Sequence, residues 1–305
     1  MGAPRVAIGP SRDALADGAV RAAGGVPTSP DSAADALVWL APRDTAGLAA
    51  ALAATGARWV QLSSAGIEFT AAAGLLDHDR VWTSAKGVYA DLVAEHALAL
   101  ALAGLRQLPV RIAARSWGKP GGDSLFSEPV TILGGGGVTA SLLRLLAPFR
   151  VRATVVRRGT APVPGAALTV TASGLTATLR DAKVVFLALA LTPETERIIG
   201  AEQFAAMRPD AWLVNVARGR HVDTAALVAA LAARSIAGAA LDVTDPEPLP
   251  DGHPLWAQQR CIITPHTADP AELSDPAFAS RIRENVTRFA ASQPLLGVVD
   301  PAAGY

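Results

Sequence analysis

The segment VTILGGGGVT at 130–139 decides the fold expected for this chain. An apolar strand runs into four glycines, and a helix is predicted to follow them and to end near Pro148. A second strand is predicted at 151–156. In a βαβ unit with this turn, backbone N–H groups and the helix N-terminus can hold a pyrophosphate. The segment therefore predicts a dinucleotide-binding unit.

The glycine spacing allows two registers for the turn. In the first, Gly134 and Gly136 are the leading glycines and Thr139 takes the third position, where a side chain should push the helix slightly outward. The second register begins one residue later, at Gly135. We favour the first because the strand alternation places Gly134 at the strand end. The residues expected to form this cofactor cradle are Gly134, Gly136, Gly137, Val138 and Thr139.

Strands and helices alternate along most of the chain. Before the glycine turn, strands are predicted at 5–9, 36–40, 59–63 and 81–84, and helices at 45–56 and from about Tyr89 to Leu108, where Pro109 ends the helix. After it, strands are predicted at 184–189, 211–215, 236–241 and 261–264, and helices at 201–207 and 223–233. Mostly apolar strands in this arrangement indicate a parallel sheet covered on both faces. A loop at 115–128 is expected, and a helix at about 276–291 with strand-like Val298 and Val299 is predicted to return to the first domain.

The end of the second strand, VVRRG, bears on the choice of cofactor. NAD enzymes usually carry an acidic residue there for the ribose hydroxyls. This chain has Arg157 and Arg158 instead. A guanidinium suits a 2′-phosphate, although two solvated arginines at a strand end are the ordinary alternative. The missing carboxylate favours NADP(H), with NAD as second choice.

Three side chains of chemical interest follow successive predicted strands. Arg218, Glu247 and His266 should all lie at the carboxyl ends of strands, where doubly wound sheets bind ligands. An arginine can hold a carboxylate through two parallel hydrogen bonds, a histidine can exchange a proton near neutral pH, and a neighbouring glutamate favours the imidazolium. Taken singly, Arg218 is more often a helix-edge salt bridge, Glu247 a solvated loop residue and His266 a capping side chain. Together, beside a dinucleotide turn, they predict hydride transfer to a keto acid.

The chain resembles the D-isomer-specific 2-hydroxyacid dehydrogenases over roughly residues 58–300. The matching stretches are VAEHALAL at 93–100, LALTPET at 189–195, MRPDAWLVNVARGRHVDTAAL at 207–227, AGAALDVTDPEPLPDGHPLW at 237–256 and IITPH at 262–266. The resemblance implies an α/β protein in which a doubly wound Rossmann nucleotide-binding domain, residues 93–269, is inserted into a discontinuous flavodoxin-like substrate domain, residues 1–92 and 270–305. It also implies a homodimer that pairs through the nucleotide domains.

The resemblance further implies individual roles. Arg218 would bind the substrate carboxylate and polarise the carbonyl, His266 would be the acid/base, and Glu247 would pair with it. Contacts along the cofactor are implied for Ala190, Thr192, Ala217 and Asp242, the last on the nicotinamide side. The carboxylate-binding loop of the first domain would be Ser64, Ala65 and Gly66.

Several positions depart from the family pattern. Thr139 replaces the third glycine, Ala190 stands where proline is frequent, and SSAG at 63–66 replaces the usual glycine-containing loop. Lys86 stands where proline is common before the glycine. It could face the cleft and select a second anionic group, or be a surface turn residue. The surface interpretation is slightly favoured, and Lys86 is kept as a candidate substrate-binding residue.

Composition argues against several other classes of protein. Lys plus Arg is 27 and Asp plus Glu is 27, so the net charge of zero offers no general attraction to nucleic acid or to an anionic membrane. The single cysteine, Cys261, excludes an intrachain disulfide framework, and its apolar run indicates a buried strand thiol. The N-terminus lacks a signal-peptide pattern, and the apolar runs are too short to span a bilayer. A cytoplasmic protein without a metal site is expected.

The leading functional hypothesis is an NADP(H)-preferring reductase of small 2-keto acids such as glyoxylate or hydroxypyruvate. A phosphoglycerate dehydrogenase-like enzyme is disfavoured, because an appended regulatory domain and a basic cluster near the substrate loop are both missing. A dinucleotide-sensing corepressor-like protein, which would keep the same triad without turnover, is disfavoured because no partner-binding tail follows DPAAGY at 300–305.

Overall fold

The computed structural model describes residues 2–301. The chain forms two compact units. Unit 1 comprises the chain up to Tyr89 together with the chain from Pro270 onward, and unit 2 comprises Ala90–Asp269. The sequence placed the first boundary at 92/93 and the second at 269/270.

Unit 1 contains a five-stranded parallel sheet. Its elements up to Tyr89 are β1 (Arg5–Gly9), α1 (Ala14–Ala22), β2 (Val26–Thr28), β3 (Ala36–Trp39), α2 (Thr45–Thr55), β4 (Trp59–Leu62), α3 (Glu68–Ala72) and β5 (Val81–Thr83). The strand order is β2-β1-β3-β4-β5, and every pair is parallel. This is the predicted flavodoxin-like order, with its switch point between β1 and β3.

Unit 2 contains a seven-stranded parallel sheet. Its elements are α4 (Ala90–Leu105), α5 (Leu108–Ala113), β6 (Pro129–Leu133), α6 (Gly137–Leu146), β7 (Arg152–Val156), β8 (Leu168–Val170), α7 (Leu175–Leu179), β9 (Val184–Leu187), α8 (Ala201–Ala206), β10 (Trp212–Asn215), α9 (Thr224–Ala232), β11 (Gly238–Leu241) and β12 (Cys261–Ile263). The strand order is β12-β11-β10-β9-β6-β7-β8. All neighbouring strands are parallel, which confirms the doubly wound Rossmann topology.

The apolar strands of unit 2 are buried on both faces. In β9, Val185 and Leu187 enter one hydrophobic core, while Val184 and Phe186 enter the core on the opposite face. This follows from the two-residue period of a strand, which sends successive side chains to opposite faces. Helices cover both faces, so a continuous apolar run is stable here, as predicted.

Two helix boundaries differ from the predictions. The long helix α4 ends at Leu105, and Pro109 lies in the first turn of the separate helix α5. A proline is tolerated there because the first turn of a helix has no internal partner for its N–H groups. The last helix, α10 (Ala271–Ala290), begins five residues before the predicted start at 276 and contains Pro276.

The chain after α10 packs on the sheet of unit 1. Val298 forms an isolated antiparallel bridge with Thr83, and the backbone N–H of Val299 donates to the carbonyl of Trp82. Val299 is buried there. Among the described residues, no helix is both long and apolar enough to cross a membrane.

Candidate active site

The glycine turn after β6 has little room for side chains on one side and open space on the other. Gly134 has a φ of +112°, and a Cβ built on it would collide with the carbonyl oxygen of Ala188. Gly136 is the N-cap of α6, and a Cβ built on it would meet nothing within 4 Å. An unobstructed helix N-terminus beside a glycine backbone fits the phosphates of a dinucleotide. The positive φ at the strand end supports the register that begins at Gly134.

Thr139 is fully buried at the third position of the motif. Its hydroxyl Oγ1 donates a hydrogen bond of 3.0 Å to the carbonyl oxygen of Gly134. The threonine therefore links the first turn of α6 to the glycine turn, a contact that a glycine could not make. This bond was not foreseen from the sequence.

The two arginines after β7 have different surroundings. A Cβ on Gly135 would lie 3.0 Å from Cδ of Arg157, so the Arg157 side chain runs alongside the glycine turn. Arg158 lies within electrostatic range of Glu194. The pKa of Glu194 is lowered first by a hydrogen bond from the Thr192 side chain, and the positive charge of Arg158 adds to the effect. Both arginines thus lie beside loops of unit 2.

The loop after β9 is held in shape by Thr195, which the sequence did not single out. Oγ1 of Thr195 donates to the carbonyl of Ala190 over 2.8 Å and accepts from the backbone N–H of Thr192 over 2.8 Å. The two predicted cofactor residues of this loop, Ala190 and Thr192, are therefore fixed relative to each other.

Arg218 follows β10 on a tightly packed backbone. Nδ2 of the buried Asn215 donates to the carbonyl of Arg218 over 2.9 Å, and Nη1 of Arg218 donates to the carbonyl of Ala217 over 2.7 Å. A Cβ on Gly219 would collide with the carbonyl of Thr244, so only glycine allows this close approach of the loops after β10 and β11. Ala217 is buried beneath them.

His266 and Glu247 form a hydrogen-bonded pair. Nδ1 of His266 lies 2.8 Å from Oε1 of Glu247, and the two side chains are 42% and 29% exposed. The carboxylate can only accept, so Nδ1 carries the proton of this bond. Nε2 is then the ring nitrogen atom that does not face Glu247. His266 has a φ of +51°, a strained backbone conformation for a residue with a side chain.

Asp242 anchors the segment that carries His266. Its buried carboxylate accepts from the Thr264 hydroxyl over 2.6 Å, from Thr267 N over 2.9 Å and from Ala268 N over 3.1 Å. Nε2 of His96 lies 3.3 Å from the same carboxylate. Burial by itself raises the pKa of Asp242, but the hydrogen bonds from His96, Thr264 and Thr267 outweigh it and lower the pKa below its usual value.

Two members of the candidate triad, His266 and Arg218, lie within electrostatic range of Asp269. Burial raises the pKa of Asp269, and the nearby charge of Asp242 raises it further, while His266 and Arg218 act in the opposite direction. Asp269 is thus a second carboxylate within electrostatic range of His266. The partner observed at hydrogen-bond distance is Glu247.

Cys261 is an unsuitable nucleophile, because burial raises the pKa of its thiol to about 12. Within the described residues there is no group of His, Cys, Asp and Glu side chains able to hold a metal ion.

The candidate substrate loop lies in unit 1. The hydroxyl of Ser64 donates to the carbonyl of Gly66 over 2.6 Å, and its own carbonyl accepts from Ala85 N over 2.8 Å. Ala65, between them, is exposed. The carbonyl of Lys86 accepts from the guanidinium of Arg281, and the Lys86 side chain is exposed. Unit 1 therefore brings the 63–66 loop and the turn at Lys86 together.

Comparison with known proteins places this geometry in a family. The family model described as D-isomer specific 2-hydroxyacid dehydrogenase, NAD binding domain, matches residues 96–268. The chain belongs to the D-isomer-specific 2-hydroxyacid dehydrogenase family. Members of this family are NAD(P)-dependent enzymes, and the matched segment covers the Rossmann sheet, the glycine turn and the triad.

Individual relatives show how far the likeness extends. An uncharacterized protein from the proB 3′ region of Corynebacterium melassecola is 40% identical over 254 residues, which are 81% of this chain and 84% of that protein. The glyoxylate reductase/hydroxypyruvate reductase of Homo sapiens is 34% identical over 222 residues, 69% of this chain and 65% of that enzyme. The matched stretch thus spans slightly less than two thirds of the human reductase. The structure of a D-isomer specific 2-hydroxyacid dehydrogenase from Xanthobacter autotrophicus Py2, in complex with NADPH and MES, superposes over 100% of both chains with a TM-score of 0.85 at 27% identity.

Proposed function

We propose that the protein is an NADP(H)-preferring reductase of small 2-keto acids of the glyoxylate or hydroxypyruvate type. The observation that carries the proposal is the 2.8 Å pair of His266 and Glu247, at the edge of the sheet that also presents Arg218 and the glycine turn. The human relative is named for glyoxylate and hydroxypyruvate, and the Xanthobacter relative was solved with NADPH.

The geometry of the triad supports the following assignment of roles. NADPH, held by the cradle residues named below, would supply the hydride for the carbonyl carbon of the keto acid. Arg218 binds the substrate carboxylate through its guanidinium and polarises the carbonyl. His266 donates a proton from Nε2 to the carbonyl oxygen as the hydroxyl forms, because Nδ1 is committed to Glu247. Glu247 holds the ring in this orientation and stabilises the positive imidazolium.

The preference for NADP(H) is assigned to the arginines after β7. Arg157 runs beside the glycine turn, and neither 157 nor 158 offers a carboxylate for ribose hydroxyls. A 2′-phosphate can accept charge-assisted hydrogen bonds from guanidinium groups. The cradle itself is assigned to Gly134, Gly136, Gly137, Val138 and Thr139, with Ala190, Thr192, Ala217 and Asp242 completing the cofactor site. NAD is the alternative cofactor.

Substrate selection is assigned to unit 1. Ser64, Ala65 and Gly66 are proposed to bind the substrate carboxylate through their loop, and Lys86 is a candidate contact to a second anionic group of the substrate. The bond between Ser64 O and Ala85 N supports treating the 63–66 loop and the Lys86 turn as one surface.

A homodimer formed through unit 2 is also proposed. Large apolar side chains are exposed along one segment, namely Leu108, Val110, Ile112, Trp117 and Phe126. Trp117 is 98% exposed, which is unfavourable for a solitary chain in water and favours burial against a second copy. Sedimentation of the wild type and of Trp117→Lys tests this, with the variant expected to shift towards the monomer.

The decisive experiment for the function is a panel of 2-keto acids assayed with NADPH and with NADH, next to direct cofactor binding. Turnover of glyoxylate or hydroxypyruvate with NADPH, lost in His266→Ala, supports the proposal. Cofactor binding without turnover across the panel would instead favour a dinucleotide sensor. Turnover confined to a phosphorylated hydroxy acid would favour the phosphoglycerate dehydrogenase-like alternative.

A further inference from the structure

His221 is a completely buried histidine that the chemistry above does not use. It ends the short 3₁₀ turn Gly219–His221, three residues after Arg218. Its backbone is fixed from one side, because the N–H of Ile199 donates to the carbonyl of His221 over 3.0 Å. A polar ring in such a position is retained only if its nitrogen atoms find partners.

The ring lies between the two loops of the candidate site. Nε2 is 3.3 Å from the carbonyl oxygen of Ala190, in the loop after β9. Nδ1 is 3.2 Å from the backbone N–H nitrogen of Arg218 and 3.1 Å from the Arg218 carbonyl, which already accepts from Asn215. A carbonyl can only accept, so Nε2 is the donor to Ala190. A neutral ring protonated on Nε2 then accepts at Nδ1 from the Arg218 N–H, and this tautomer satisfies both nitrogen atoms.

We propose that His221 is a positioning residue that couples the loop at Ala190 to the backbone of Arg218. The inference rests on the proposed function, because it takes the Ala190 loop as a cofactor contact and Arg218 as the substrate-carboxylate contact. One half of this coupling, the hydrogen bond from Nε2 to the carbonyl of Ala190, sets where the cofactor loop lies. The other half, the hydrogen bond from the Arg218 N–H to Nδ1, sets the direction in which the guanidinium of Arg218 leaves the backbone.

The two halves can be separated by amide side chains. In His221→Asn, the amide oxygen can take the place of Nδ1 and accept from Arg218 N–H, but the shorter side chain does not reach Ala190. In His221→Gln, the terminal amide nitrogen can take the place of Nε2 and donate to Ala190, and nothing replaces the acceptor at Nδ1. His221→Leu removes both bonds while keeping an apolar volume.

The expected result is a split between cofactor and substrate constants. His221→Asn should weaken NADPH binding, measured by fluorescence titration without substrate, by about three- to tenfold, the factor of one ordinary hydrogen bond. Its KM for glyoxylate should stay within about twofold. His221→Gln should show the reverse pattern, with the KM for glyoxylate raised by about three- to tenfold. His221→Leu should show both losses.

His253→Leu is the matched control. Nδ1 of His253 accepts from the backbone N–H of Leu255 over 3.2 Å, so it also supports a 3₁₀ turn, and its substitution should leave both constants unchanged. Thermal unfolding of every variant identifies those that fail to fold. Equal losses of both constants in the Asn and Gln variants, or no loss in either, would overturn the coupling role of His221. If the wild type turns over no keto acid, the proposed function fails, and the NADPH titration of His221→Asn still tests the Ala190 half.

Discussion

Replacement of Glu247 by glutamine tests the pair on which the proposed chemistry depends. At the observed Nδ1–Oε1 distance of 2.8 Å, the Coulomb attraction of two unit charges is about 1.5 kcal/mol in a medium like water and about 6 kcal/mol at an effective dielectric constant of 20. The side chains are 42% and 29% exposed, so solvent screening brings the value towards the lower figure. A hydrogen bond to a charged group contributes about 1.5–3 kcal/mol, and glutamine keeps about 1 kcal/mol of a neutral one.

The difference, about 0.5–2 kcal/mol, corresponds to a loss of about 2- to 30-fold in kcat/KM for glyoxylate reduction in Glu247→Gln. The assay is the initial rate of NADPH oxidation at saturating cofactor, with NADPH binding measured separately and expected to be unchanged. The control is Glu284→Gln, which removes the same charge from the 2.7 Å pair of Glu284 with Arg288 on α10. A loss below about twofold in Glu247→Gln, with the control unaffected, would refute the pairing as a source of catalysis.

Three further substitutions test other parts of the site and the fold. His266→Ala should lower turnover by about 10²–10⁴-fold, the contribution typical of a general acid, while NADPH titration stays within about twofold of the wild type; a loss below tenfold would contradict the assignment. Arg157→Asp combined with Arg158→Ser should weaken NADPH use and leave NADH use equal or better, and a wild type that already prefers NADH would show the cofactor preference to be wrong. The hydrogen bond from Arg208, together with that from Lys183 and the positive charges of both, lowers the pKa of Asp210 from 3.8 to about 2. The stability that this carboxylate contributes is therefore complete above its unfolded pKa and is lost as the pH falls through its folded pKa. The melting temperature of Asp210→Asn should therefore lie below that of the wild type at pH 5, and this difference should disappear between about pH 4 and pH 2. A difference in melting temperature that does not change with pH would rule out this ionic contribution.

The apolar strands could be predicted from the sequence because burial on both faces leaves an unbroken hydrophobic run. Trp212–Asn215 and Val184–Leu187 are buried throughout, and both were expected as strands. The short elements could not be predicted in the same way. Helix α7 has only five residues and no side-chain cap, and β2 has three residues, so neither carries enough periodicity to be recognised.

The candidate triad was predictable from position, since each member follows a strand of a parallel sheet. What the sequence could not show is the set of partners that hold these residues. His96, on helix α4, meets Thr264 at Asp242 although both of these residues are far from α4 in the chain. Thr195 closes the loop at Ala190. Contacts of this kind arise from tertiary packing and leave no periodic trace in a single sequence.

Burial separates the pair proposed to carry the acid–base chemistry from the polar residues that support it. His266 and Glu247 are partly exposed, whereas Asp242, Asn215 and His221 beneath them are almost completely buried. An unpaired polar group in such a position costs about 1–3 kcal/mol, and each of these three has found partners.

Ser63 in unit 1 provides a contrast. Its hydroxyl Oγ is one of three buried side-chain polar atoms that have no hydrogen-bond partner among the described residues, and all three lie in unit 1. The buried polar groups that support the triad in unit 2 thus have hydrogen-bond partners within the protein. Beside the candidate carboxylate loop, in contrast, the Ser63 hydroxyl has no such partner among the described residues. Preorganisation of charge is most effective where the surrounding dipoles are already fixed. We therefore propose that the strand ends of unit 2 set the chemistry and that the 63–66 loop of unit 1 contributes to the choice of keto acid.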